Sequence, residues 1–161
     1  MMQRILLVVV LGLMLPLTLP AAPENEAQLE DYRLSYDALL ANGSVEDAYL
    51  LARDVSRRYP DNPEWKRRLA RVAVWTNRPV EAYTTWKELF KAGERDTEVL
   101  SEVRRLAGHY NDAPILIELW QATEATRQMS EQEAEDLAKL YERAYRPVEG
   151  ARYFEQLHKT R

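Results

Sequence analysis

The chain contains no cysteine among its 161 residues. No disulfide framework can form, so stability must come from packing, and a cysteine-linked lipid anchor is excluded. Glycine is scarce, with five residues, and most of the eight prolines lie near proposed boundaries, which favours helices separated by short turns. With 46% hydrophobic and 30% charged residues, the composition is that of one globular or repeat domain rather than of a disordered segment.

An excess of basic residues is also missing, because 22 Lys and Arg stand against 26 Asp and Glu. The net charge of −4 makes nucleic acid an unsuitable partner, since such binding draws on basic surfaces. The two histidines, His109 and His158, are far apart and lack recurring metal-ligand spacing, and no glycine-rich phosphate loop occurs. Glu133 and Asp136 are spaced as ordinary solvated charge on a helix face. We therefore expect no metal, no cofactor and no enzymatic activity.

Long hydrophobic runs are confined to the N-terminus. Residues 1–22 read as a signal peptide, with a basic residue before an apolar run over 5–19 and small residues for cleavage after Ala21 or Ala22. The run is short for a membrane helix, which needs about 20 apolar residues, although an uncleaved N-terminal anchor is the competing interpretation. Residues 23–28 are expected to form a flexible lead-in. The protein is predicted to be periplasmic or secreted, in a Gram-negative type of envelope.

A helical pattern recurs along the chain with a 34-residue period. Residues 63–96 read as two amphipathic helices joined by a turn over 76–79, and Ala82 begins the inward stripe of the second helix. Ala48 precedes Ala82 by one period, and Gly150 follows Ala82 by two periods. A fixed period of helix, turn and helix indicates an all-α repeat fold of about eight helices. The predicted repeats are 29–62, 63–96, 97–130 and 131–161.

Local signals predict where individual helices begin and end. Gly43 suits a left-handed helix C-cap, and Ser44 is expected to cap the helix that follows it. Gly93 is expected to end the second helix of the 63–96 repeat. Pro63 suits a first helical position. Leu116 occupies the position that is small in the other repeats, so a wider or rotated helix crossing is expected there.

The four tryptophans separate into two groups. Trp65, Trp86 and Trp120 lie on inward stripes and are predicted to be core, whereas Trp75 lies on the opposite side of its helix.

Together these residues resemble the tetratricopeptide repeat (TPR) family. The resemblance is carried by Gly43, Ala48, Pro60, Leu69, Ala73, Ala82, Leu89, Leu137, Ala138, Tyr141, Phe154 and Leu157. It implies a right-handed TPR solenoid of about four repeats, in which the first helix of each repeat lines a concave groove. Within this family, residues 65–79 are similar to the repeat region of the Pel-type exopolysaccharide export protein. That similarity implies a periplasmic scaffold for polysaccharide export or modification components.

Basic residues recur on the face expected to line this groove. Arg71, Arg105 and Lys139 follow one another at the repeat period, and aromatic rings lie about one turn beyond the first two. Such a surface suits an acidic peptide or a glycan, because arginine offers paired donors to carboxylates. The alternative is ordinary exposed charge, neutralised by acidic residues nearby. The predicted groove comprises Arg67, Arg71, Trp75, Arg105, His109 and Lys139.

The expected function is that of an exported, non-enzymatic scaffold that holds a protein partner in this groove, within an envelope exopolysaccharide secretion system. Two alternatives stay open. The chain could be a helical accessory to, or part of, a cell-wall glycan-acting enzyme, or a structural repeat protein that associates with itself.

Overall fold

The computed structural model describes residues 24–123 and 129–159, and within them every regular element is an α-helix. The all-α prediction is therefore confirmed for this part of the chain. The predicted signal segment, 1–22, lies outside the described residues. The eight helices are α1 (Glu24–Ala41), α2 (Val45–Arg58), α3 (Pro63–Trp75), α4 (Pro79–Lys91), α5 (Thr97–His109), α6 (Ala113–Thr123), α7 (Glu131–Arg143) and α8 (Pro147–Lys159).

The helix starts keep a fixed spacing. The even-numbered helices begin at Val45, Pro79, Ala113 and Pro147, so each start is one repeat period after the last. The starts of α3, α5 and α7 are separated by the same interval. Each helix packs against its neighbours in chain order. The structure is thus a succession of helix pairs, and residues one period apart occupy corresponding places in successive pairs.

The turns within the pairs explain this regularity. Gly43, Asn77, Asn111 and Tyr145 each have positive φ, at 74°, 57°, 53° and 57°. The next residue in each turn donates its amide to a carbonyl five residues earlier, as Arg78 N does to Ala73 O at 2.7 Å. This is the 6→1 bond of the Schellman motif, which ends a helix with one left-handed residue. Gly93, with φ of 99°, ends α4 in the same way, as predicted.

The core consists of three successive clusters of buried side chains. Trp65 is fully buried in the first and makes edge-to-face contacts with Tyr32 and Tyr36, at ring-centroid distances of 6.3 and 5.9 Å. Trp86 is buried in the second cluster, and Tyr141 in the third. The core predictions for Trp65 and Trp86 are confirmed. Trp120 is partly buried and packs against the third cluster.

Two local predictions were wrong. Residues 24–28, expected to form a flexible lead-in, belong to α1, and Tyr59 donates its hydroxyl to Gln28 Oε1 at 2.7 Å, which ties this turn to the end of α2. Ser44 precedes α2, but its hydroxyl bonds none of the first amides of the helix. Its backbone forms an inverse γ-turn instead, with Val45 N donating to Gly43 O at 2.9 Å.

Leu116 is only partly buried, and α6 turns other side chains inward. Ile115, Ile117 and Leu119 are the large buried residues of this helix. They divide between the second and third clusters, so α6 contributes to both.

Candidate functional site

A cleft of about 280 Å³ lies between α3 and α5 and brings together three of the predicted groove residues, Arg71, Trp75 and Arg105. We call it the Trp75 cleft. Its remaining lining comes from Val74, Trp86, Glu98 and Glu102. The repeat period places Arg71 and Arg105 at corresponding positions of α3 and α5, and the two helices lie close enough for both side chains to line one cavity.

Trp75 provides the apolar surface of the cleft. It is the last residue of α3, and its side chain is 60% exposed, next to Val74 at 40%. The inward face of the same turn is occupied by Val72 and Ala73, which are fully buried. The indole is therefore left open to solvent, where it can stack against an apolar or flat group.

Arg71 is joined to α5 by a two-pronged ion pair. Its Nε and Nη2 atoms donate to the two carboxylate oxygens of Glu98, at 2.5 Å each. This hydrogen bond raises the pKa of the Arg71 guanidinium above its ordinary value. Because both side chains are more than a third exposed, the pair contributes at most about 1 kcal/mol to stability. Its larger effect is to fix the guanidinium at the wall of the cleft.

The other arginines of the predicted groove are also paired with carboxylates. Arg105 donates to Glu102 at 2.6 Å, on its own helix. Arg67 donates to Asp96 at 2.7 Å and also bonds Glu94. The ladder of basic residues is therefore matched by acidic residues along its length. Within the Trp75 cleft, two guanidinium groups face two carboxylates, so its formal charge is balanced.

Asp96 both caps the start of α5 and pairs with Arg67 of α3. Its Oδ1 accepts from the amides of Glu98 and Val99, both at 3.1 Å, as the N-cap of α5, while Oδ2 accepts from Arg67. Partial burial opposes the charge, but the Val99 amide and the Arg67 guanidinium outweigh it and lower the pKa of the Asp96 carboxyl. The start of α5 is thus tied to α3 beside the cleft.

The remaining predicted residues lie outside the cleft. Lys139 pairs with Glu135 on α7 at 2.7 Å. His109 is exposed at the end of α5, with its ring edge-on to that of Tyr110 at 4.9 Å. Arg67 is largely covered by its acidic partners, with 22% of its side chain exposed. The structure therefore gathers Arg71, Trp75 and Arg105 and leaves the other three apart.

Sequence reasoning missed the acidic side of the cleft. Glu98 lies 27 residues after Arg71, and the pairs Arg67 with Glu94 and Lys91 with Glu118 have the same separation. Read together with the repeat period, this second spacing could have predicted these three pairs of a cation with a later carboxylate, two of which join consecutive repeats.

No family model, no curated protein and no solved structure matches this chain. Among residues 24–123 and 129–159, no helix combines the length and apolar character needed to cross a bilayer. In the same part of the chain, no group of three or more His, Cys, Asp or Glu residues is placed to hold a metal ion.

Proposed function

We propose that the protein is a TPR-type right-handed solenoid that acts as a non-enzymatic scaffold and holds a segment of a protein partner in the groove along α3, α5 and α7. The observation that carries this proposal is the Trp75 cleft, where Arg71, Trp75 and Arg105 lie together. The regular spacing of the helix starts and the repeated left-handed turns support the repeat architecture.

The contacts within the cleft indicate what kind of segment it holds. Both arginines already have carboxylate partners, so an acidic ligand would have to displace Glu98 or Glu102. The exposed faces of Trp75 and Val74, in contrast, need no displacement. The best occupant is therefore a peptide whose apolar or aromatic side chain stacks on the indole while its polar backbone bonds the charged rim.

The N-terminal apolar segment supports a place for this scaffold in the envelope, either periplasmic or secreted. The resemblance of residues 65–79 to an exopolysaccharide export protein supports work within an exopolysaccharide secretion assembly. Mass spectrometry of the protein recovered from a periplasmic fraction would reveal cleavage near Ala22. Recovery of the uncleaved chain in the membrane fraction would indicate the N-terminal anchor instead, and recovery of the uncleaved chain in the cytoplasmic fraction would contradict the export part of the proposal.

The binding part can be tested with peptides selected from a random dodecapeptide library against the full chain. We expect W75A to weaken binding of the selected peptides at least about tenfold, because tryptophan is enriched among the few interface residues that carry most of the binding energy. Y145A is the matched control, since Tyr145 is an aromatic residue with 94% exposure outside the cleft.

Combined charge reversal of Arg71 and Arg105 should also abolish peptide binding without lowering the melting temperature by more than a few degrees, because both residues are exposed. Peptides that bind W75A and the double reversal as tightly as the unaltered protein would refute the groove.

A further inference from the structure

A second and larger pocket, of about 470 Å³, lies between α2, α3 and α4. We call it the Ser56 pocket, after one of its buried lining residues. It shares no lining residue with the Trp75 cleft. Two of its lining residues, Ser56 and Thr85, are buried although they are polar, and they are the two buried polar residues of the described part of the chain.

The Ser56 hydroxyl has no hydrogen-bond partner in the part of the chain that the structure describes. Ser56 Oγ is buried and makes no hydrogen bond with any described residue, whereas the Thr85 hydroxyl donates to Glu81 O on its own helix at 2.9 Å. An unbonded buried hydroxyl is destabilising, since the group loses its water without replacement.

The corresponding positions one repeat later in the chain are occupied by packed apolar residues. A shift of one repeat period along the chain carries α2, α3 and α4 onto α4, α5 and α6. The polar lining residues Ser56, Lys66, Glu81 and Thr85 then correspond to Phe90, Leu100, Ile115 and Leu119. All four of these belong to, or pack against, one hydrophobic cluster. Packing does not require polar residues at these positions, so their presence in the Ser56 pocket calls for another role.

The charged residues also differ between these two sets of three helices. In the later set, Lys91 on α4 forms an ion pair with Glu118 on α6. The corresponding residues of the Ser56 pocket are Arg57 and Thr84, and the Thr84 hydroxyl bonds Val80 O on its own helix at 3.0 Å. Arg57 is exposed and forms no ion pair or hydrogen bond with any described residue. Arg57 thus corresponds to the cation Lys91, but Thr84 stands in place of the carboxylate Glu118.

The other charged groups at the pocket leave this cation uncompensated. Lys66 pairs with Glu88 at 3.1 Å, and Glu81 accepts from the Tyr49 hydroxyl at 2.8 Å. Arg53 lies over the Tyr49 ring, 5.2 Å from its centroid, and bonds that hydroxyl at 3.4 Å. Three cations thus face two carboxylates.

We propose that the Ser56 pocket binds a carboxylate side chain of an acidic peptide, which pairs with Arg57 as Glu118 pairs with Lys91. A guanidinium presents two parallel donors that match the two oxygens of a carboxylate. The volume of the pocket admits the side chain together with part of its backbone, and Arg53 lies on the same wall to hold a second acidic residue. The site is independent of the Trp75 cleft and of the function proposed for it.

The proposal can be tested by titrating the full chain with a fluorescent, N-acetylated triglutamate amide and measuring its anisotropy. We expect R57Q to weaken binding at least about tenfold, because a charge-assisted pair is lost. R58Q is the matched control, since Arg58 is the adjacent residue but pairs with Asp54 outside the pocket. T84E should also abolish binding, by supplying the missing carboxylate from within the chain, whereas T84Q, of equal size, should not.

Two further probes distinguish the chemistry. A triglutamine amide should not bind, and inorganic phosphate should not displace triglutamate at equal concentration. Equal binding to R57Q and R58Q, or equal loss from T84E and T84Q, would overturn the proposal. Displacement by phosphate would overturn the assignment to carboxylates, because the pocket would then select charge alone. Circular dichroism of each variant separates loss of binding from loss of fold.

Discussion

Replacing a glycine by alanine should have opposite effects at two places in this chain. Gly150 is a buried residue of α8, and a Cβ atom built on it would lie 2.9 Å from both Cβ and Cγ of Tyr141. The Tyr141 ring cannot easily move aside, because it is 2% exposed and its hydroxyl accepts from Gln121 Nε2 at 2.9 Å. G150A must therefore push α8 away from α7.

The magnitude follows from two opposing terms. An extra methyl group in a packed core costs about 1–3 kcal/mol. Alanine is favoured over glycine inside a helix by about 1 kcal/mol, which offsets part of that cost. The net effect of G150A is therefore a decrease of up to about 2 kcal/mol in the free energy of unfolding. The control is G108A in α5, where nothing lies within 4 Å of the added Cβ, so the helix-propensity gain of about 1 kcal/mol is not offset.

Urea unfolding followed by circular dichroism at 222 nm measures both changes, provided that the slopes of the transitions agree. The helix-propensity term is common to the two variants, so their difference reports the contact with Tyr141. If G150A were as stable as G108A, the close packing of α7 on α8 would be refuted.

The other predictions concern an N-cap, a left-handed turn and a buried hydroxyl. D96A should lower the free energy of unfolding by about 1–2 kcal/mol, and D96N by less, because asparagine keeps the cap and loses only the charge pair with Arg67. Since the folded pKa of Asp96 is lowered, its charge stabilises the protein above the unfolded pKa, so the difference between D96N and the unaltered protein in urea titrations should vanish as pH falls through the folded value. Y145G should raise the thermal midpoint, because Tyr145 has a φ of 57° that glycine adopts without a steric cost, whereas Y145A should not. S56A should also raise the thermal midpoint, by removing a buried hydroxyl that has no hydrogen-bond partner among the described residues, and an unchanged or lower midpoint would contradict that assignment.

Local chemistry made much of the framework predictable from sequence. Pro63 begins α3, and Gly43 and Gly93 end helices in left-handed conformations, because these residues restrict or permit backbone angles wherever they occur. The inward stripes also placed Trp65 and Trp86 correctly in the core. Where local chemistry was a weaker guide, as at Ser44, the prediction failed.

The candidate sites depended on contacts that the linear pattern does not contain. The recurrence of Arg71 and Arg105 was visible in the sequence, but their carboxylate partners were not assigned, because those partners come into reach only when α3 and α5 lie side by side. The Ser56 pocket went unrecognised for the same reason, since its lining comes from three helices.

The sequence by itself therefore determined the helices, their regular spacing and the residues that face inward, because each follows from backbone preferences and periodicity within a few turns of chain. Only the tertiary structure decided that the basic ladder is neutralised, that Trp75 is exposed beside it and that Arg57 has no ion-pair partner among the described residues. These properties depend on distances between side chains on different helices, far apart along the chain, which are fixed by how one helix packs on the next.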